Sequence, residues 1–368
     1  GPTNFTAPDW LSWSVLAIFI LAYILVMFEE TIHLKKSKPV VLAAGIIWAL
    51  VAWGAIPLGQ SQLVTDAFRH GLGEYAELML FLMVAMTYIN VIAERGVFLA
   101  LRDWLLAREL SSRALFWITG VLSFFISAIA DNLTTSLMIG AVVLAVAGRN
   151  KKFAMLACVN VVVACNAGGA FSPFGDVTTL MVWQKNIIST NGALTFFSFF
   201  NLFIPSLVNW LVPACLMHWA VPKQTLHHTV DRYGLKNHAW QVVGLFIFTI
   251  ALSVTAHSVL HLPPVLGMLT GLGMLHLYNY SLKRRNQSYD VFGAMAQIEW
   301  DTLLFFYGIL MAMAALSLIG HLHILSTLLY GGFSTTLANI SIGIISAIVD
   351  NVPVMFAVLN MQPPMSSG

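Results

Sequence analysis

Apolar runs of about 18 to 20 residues recur along nearly the whole chain. Each is long enough to cross a hydrocarbon layer roughly 30 Å thick at about 1.5 Å of rise per residue. With 58% hydrophobic and 9% charged residues among 368, there is too little polar surface to cover a water-soluble fold. The chain belongs in a bilayer and leaves no room for a sizeable soluble domain. A net charge of +2 from few ionised groups argues against nucleic acid as a partner. Cys158, Cys165 and Cys215 have neither metal-ligand spacing nor the pattern of a disulfide framework, and read as buried apolar residues.

The runs predict spans at about 11–28, 39–57, 76–94, 153–184, 196–220, 239–257, 264–280 and 299–318. Shorter apolar arms lie at 114–129, 133–147 and from 333 onward. The first two arms, either side of Asp131-Asn132, are too short for two comfortable crossings and fit a re-entrant hairpin, 112–148, with its tip near the midplane. If that hairpin returns to its own side and Lys35, Lys36 and Lys38 are cytoplasmic, all of the 18 basic residues except Arg69 and Lys185 fall on the cytoplasmic side. Treating 112–148 as one crossing destroys that segregation. Residues 97–110, with Arg102, Asp103 and Arg108 among Leu, Phe and Trp, read as an amphipathic helix along the cytoplasmic surface.

The six residues Ser127-Ala128-Ile129-Ala130-Asp131-Asn132 return as Ser346-Ala347-Ile348-Val349-Asp350-Asn351. Around them, Glu77 to Gly96 aligns with Asp301 to Gly320, and Pro39-Val40 with Pro264-Val265. Because Pro39 opens a span at the cytoplasmic face and Pro264 opens one at the outer face, the copies are inverted, the architecture of secondary transporters. The expected fold is an all-α polytopic membrane protein with inverted structural repeats, re-entrant hairpins and a discontinuous transmembrane helix. Its parts are an N-terminal extension (1–10), a first repeat (11–222), a cytoplasmic linker (223–238) and a second repeat (239–368). The opening Gly1-Pro2 in place of Met reads as a processed or cut beginning. A second counterpart of 166–179 would fall beyond Gly368, so the C-terminal broken helix is expected to be missing.

Four acidic residues stand out from those at loops and span ends: Asp131, Asp176, Asp301 and Asp350. An ionised carboxylate at membrane depth is expensive unless partnered, and no Lys or Arg falls in these segments. The natural partner is a cation or a proton. Within 153–184, the stretch 166–179 holds Asn166, Ser172, Pro173, Asp176, Thr178 and Thr179 with three glycines, enough to break a helix and present the oxygens that a hard monovalent cation needs. The hairpin tip offers Asp131, Asn132, Thr134 and Thr135, with Ser127 one turn before Asp131; Asn132 could equally cap the arm. Ser346, Asp350 and Asn351 form the second set. Glu77 and Asp301 occupy matching repeat positions, and Asp301 is open between proton relay and interfacial residue. His227, His228, His257, His261, His321 and His323 fall in loops or at span ends, where solvation is the default and a pH-sensing role is the alternative.

With the duplicated Ser-Ala-Ile-x-Asp-Asn and the break Ser172-Pro173-Phe174-Gly175-Asp176-Val177-Thr178-Thr179, the chain resembles the NhaD sodium/proton antiporters of the ion transporter superfamily, over essentially its whole length. The resemblance implies an antiporter rather than an enzyme, without a cofactor, in the bacterial cytoplasmic membrane, serving pH and sodium homeostasis. It implies ion-site roles for Ser127, Asp131, Asn132, Asn166, Asp176, Thr178 and Thr179, then Asp301, Ser346, Asp350 and Asn351. Na+ itself would sit at Asp131, Asn132, Asp176, Asp350 and Asn351, with Li+ as a further substrate and a homodimer as the assembly. Sodium-coupled uptake of an organic anion is the near alternative, and two tip carboxylates would repel such an anion. An intramembrane aspartyl protease is disfavoured because Pro173 stands where its Gly-x-Gly-Asp loop needs the first Gly. An ion channel is disfavoured by inverted repeats with midplane hairpins.

Overall fold

The computed structural model describes residues 5–189, 192–225 and 234–362. Among them are seven helices long and apolar enough to cross a membrane: Asp9–Met27, Ser37–Ala55, Ser61–Glu94, Lys151–Gly169, Phe196–His218, Ala239–Ser258 and Trp300–Ile319. The protein is a multi-pass membrane protein, and its described secondary structure is helical but for the small antiparallel pairing of Ile188–Ser189 with Gly192–Ala193 and an isolated bridge between Ser111 and Thr225. The expected span at 264–280 is a helix, Val265–Lys283, less apolar at its end because His276, Tyr278, Asn279, Tyr280 and Ser281 follow one another closely. His227 and His228 lie outside the described residues.

Two boundaries differ from the sequence expectation. The span expected from 76 begins at Ser61 and runs unbroken to Glu94 over 34 residues, roughly 51 Å at about 1.5 Å per residue. Its first half carries Leu63, Val64, Ala67, Phe68, Gly71 and Tyr75, a helical period that a search for continuous apolar runs passes over. His321 and His323, expected in a loop or at a span end, follow the span ending at Ile319 and open a further helix, His321–Gly332, directly after Gly320 at φ 97°. Only the left-handed turn at that glycine separates it from the span before.

The chain packs as two units, Gly1–Met79 with Glu299–Gly368, and Leu80–Ile298. In lipid, helices gain little from apolar contact alone, so small residues and interhelical hydrogen bonds decide the packing. In the first unit, Ser37–Ala55 and Trp300–Ile319 run parallel. Ser37 donates to Asp301, a Cβ on Gly308 would lie 2.6 Å from Val40, and Trp48 Nε1 donates to the Met311 carbonyl at 2.9 Å. Asp9–Met27 lies antiparallel to them, with Ser12 Oγ 2.9 Å from His321 Nε2. Tyr75 OH donates to the Leu303 carbonyl at 2.7 Å.

In the second unit, Gly96 at φ 83° turns the chain from the long helix into a shorter one, Val97–Ala107. On it Arg102 covers the buried Asp103 at 2.9 Å. The arms Ser112–Ser127 and Asn132–Ala147 have 16 residues each, about 24 Å at 1.5 Å per residue and shorter than a hydrocarbon layer. Lys151–Gly169 packs against both arms and against Phe203–His218. The buried Asn160 ties three of these helices, donating to the Phe116 carbonyl at 3.1 Å and accepting from Trp210 Nε1 at 2.9 Å.

Candidate functional site

Asp131 ends the turn after the first arm and caps the second, because its extended backbone leaves the side chain free to reach the first orphan amides of the helix. One carboxylate oxygen accepts from the Thr134 amide at 2.8 Å and the other from the Thr134 hydroxyl at 2.7 Å. Asp176 does the same for the helix Val177–Gln184 through a longer bond, 3.5 Å, to the Thr178 amide. Each carboxylate thus sits at the positive end of a helix. Neither has an ion pair among the described residues, and the two are close enough to feel each other's charge.

The tip and the break are joined directly. The Asn132 amide donates to the Gly175 carbonyl at 3.0 Å, and Asn132 Nδ2 donates to Asn166 Oδ1 at 3.1 Å. Buried Ser127 donates to the Cys165 carbonyl at 2.6 Å. Thr179 donates to the carbonyls of Ser172 and Asp176, both at 2.9 Å, and Ser172 Oγ accepts from the Phe174 amide at 3.2 Å. Ser127, Ser172 and Thr179 therefore shape the backbone of the break. Asp131, Asn132, Asn166 and Asp176 supply the side-chain oxygens beside it.

The glycines of the break turn out to be contact residues. Gly168 and Gly169 remain helical, and the helix stops only after them. A Cβ on Gly168 would lie 2.0 Å from the Phe124 carbonyl oxygen, and one on Gly175 would lie 2.5 Å from Gly169 Cα and 2.7 Å from the Ser127 carbonyl oxygen. The irregular stretch, 170–176, is shorter than the sequence suggests, and the glycines around it let two backbones touch.

The repeat of the motif lies in the other unit. Asp350 caps Asn351–Met361 by accepting from the Val352 amide at 3.1 Å, and its own amide donates to Tyr23 OH at 3.2 Å. Ser346 donates to Asn351 Oδ1 at 2.9 Å. Asp350 and Asn351 are exposed. Asp301 bonds Ser37 rather than this tip, and Glu77 lies on the long helix one turn after Glu74, whose carboxylate is 3.2 Å from His70 Nε2. A pocket of about 750 Å³ in the same unit is lined by His70, Glu74, Ser317, His323 and Asn360 among others. It contains none of the expected ion-site residues.

Comparison with known proteins decides the family. A citrate-transporter family profile matches residues 23–368. An Na+/H+ antiporter NhaD of Alkalimonas amylolytica is 50% identical over 96% of this chain and 77% of its own. The Na+/H+ antiporter NhaD of Vibrio cholerae is 47% identical over 97% and 79%. The chain belongs to the NhaD family of sodium/proton antiporters. More distant similarity extends to sodium/proton antiporter 2 of Arabidopsis thaliana, 30% identical over 94% of this chain and 81% of that protein. The NhaD relatives narrow what the broader citrate-transporter profile leaves open.

Proposed function

We propose that this NhaD-family protein exchanges Na+, with Li+ as a second substrate, for H+ by alternating access, and that cation and proton compete for the carboxylates of Asp131 and Asp176. The observation that carries this reading is the joined tip and break. Two carboxylates cap two helices within reach of each other's charge, the tip amide bonds the Gly175 carbonyl, and neither carboxylate has an ion pair among the described residues. A bound cation offsets part of the pair's negative charge, and a proton does so in its place. Competition for one site combined with alternating access is antiport. A citrate-like anion would meet two negative charges there and no counter-charge, which weighs against carboxylate uptake despite the wording of the family profile.

Within the same proposal, the two motif copies are inverted repeats, the arm pairs are re-entrant hairpins, and Asp350, Asn351 and Ser346 complete the ion site from the second copy. The location is the bacterial cytoplasmic membrane and the assembly a homodimer. The test is proton movement in proteoliposomes of the purified protein on addition of Na+, Li+ or K+. Sodium-driven proton flux supports antiport; uptake of succinate or citrate, or absence of proton flux on sodium addition, overturns it.

A further inference from the structure

One end of the second unit gathers exposed aromatic rings and cations that neither carboxylate site uses. Helices Ala239–Ser258 and Val265–Lys283 are antiparallel, fixed by Gly267 against Ser253 and Gly271 against Thr249, where an added Cβ would come within 2.3 Å and 2.0 Å. That register brings the start of one helix level with the end of the other. Trp240 and Tyr280, 64% and 60% exposed, therefore stand at the same end, and the Arg284 guanidinium lies 5.9 Å from the centre of the Tyr280 ring. His238 fastens the two ends together, its ring nitrogens 2.8 Å from Gln287 Oε1 and 3.0 Å from Tyr278 OH.

Lys236, Lys283, Arg284 and Arg285 are all exposed here. The nearby acids are engaged, Glu94 by Arg95 at 3.2 Å and Asp290 by the Gly293 amide at 2.9 Å. Beneath the patch, Arg95 lies over the Tyr289 ring at 4.7 Å, and its buried Nε, like the Tyr289 hydroxyl, has no hydrogen-bond partner among the described residues. Burial pushes the Tyr289 phenol up, so it stays a neutral donor.

We propose that this end, centred on Trp240, Tyr280, Lys236, Arg284 and Arg285, is a docking surface for the headgroups of anionic phospholipids. Amphipathic rings settle at the headgroup level, and a cluster of cations beside them selects negative headgroups. A freely soluble anion has no use for the exposed rings; a lipid engages both features at once. The proposal rests on the chain being membrane-embedded and is independent of which ion is carried, so a failure of the antiport reading leaves it standing.

The full-length protein, delipidated in neutral detergent, is offered equal amounts of phosphatidylglycerol and phosphatidylethanolamine and read by native mass spectrometry. At least fivefold preference for phosphatidylglycerol is expected, lost in the combined Lys283→Gln, Arg284→Gln, Arg285→Gln variant and kept in Lys35→Gln, Lys38→Gln. No preference in the wild type, its persistence in the triple variant, or equal loss in the lysine control overturns the proposal. Displacement by millimolar inorganic phosphate overturns the lipid as the source of the anion. Should the triple variant fail to fold, a photoactivatable phosphatidylglycerol on the wild type decides: labelling of residues 278–292 supports the surface, and labelling confined elsewhere overturns it.

Discussion

The same six-residue motif occurs at two tips and is held in two different ways. At the first, Asp131 accepts two bonds from Thr134, Asn132 is clamped to Gly175 and Asn166, and Ser127 is buried against the Cys165 carbonyl. At the second, Asp350 and Asn351 are exposed, and Ser346 bonds the motif's own Asn351. Both aspartates cap a helix, so the motif alone suffices for the cap. The clamp comes from the broken span, which packs on the first tip; among the described residues no broken helix packs on the second. A local motif places the carboxylate, and its surroundings decide which backbone and side chains meet it.

The largest expected effect tests whether the two tips are equals in transport. Asp131→Asn and Asp176→Asn should each lower sodium-dependent proton movement in everted vesicles more than about 100-fold, since on the proposed reading each removes a carboxylate for which cation and proton compete. Asp350→Asn should do the same if the second tip serves the ion. A wild-type rate would confine the ion site to the first tip. Next in size, Gly168→Ala should destabilise by about 1–3 kcal/mol or more, because the added methyl meets backbone rather than a movable side chain. Gly343→Ala, in the second copy's arm with nothing within 4 Å, should be neutral or stabilising by about 0.5–1 kcal/mol. Thermal midpoints of the two purified variants read both.

A smaller difference separates the two asparagines. Asn132→Ala loses the bond to Asn166, and intramembrane side-chain bonds are worth about 0.6 to 1.7 kcal/mol, so the apparent KM for Na+ should rise roughly 3- to 18-fold. Asn351→Ala loses the bond from Ser346 among the described residues, and a shift below about threefold would remove Asn351 from the proposed ion site. Equal shifts would mean that the second tip is clamped in the working protein too. The smallest effect should be shared. Ser111 and Ser334 cap the incoming arms in the same way, each accepting from an amide at 3.3 Å, and Ser→Ala at either should destabilise by about 1 kcal/mol.

These differences also mark how far the sequence could be read. Composition and apolar run length reveal the bilayer, the short arms and the position of the broken helix, because those follow from residue type and spacing. The early start of the long helix at Ser61 stays hidden, since its first half is periodic rather than uniformly apolar. Asn160 and Trp210 escape notice for another reason: a single Asn in an apolar run looks incidental until the helix carrying the indole is alongside. Gly168 and Gly175 are legible as breakers of a helix, while their second role needs the neighbouring backbone to be in place. The cluster of Trp240, Tyr280 and Arg284 likewise needs the antiparallel register of two helices.

That backbone contact bears on movement as well as on packing. With Gly168 against Phe124 and Gly175 against both Gly169 and Ser127, the hairpin arm and the broken span are separated by less than a methyl group. Neither can slide along the other without collision. Any rearrangement that exposes this tip to the opposite side of the membrane must take the break along with it. On the proposed reading, the oxygens that receive a cation on entry would then be the same ones that release it, and access to them would be what changes.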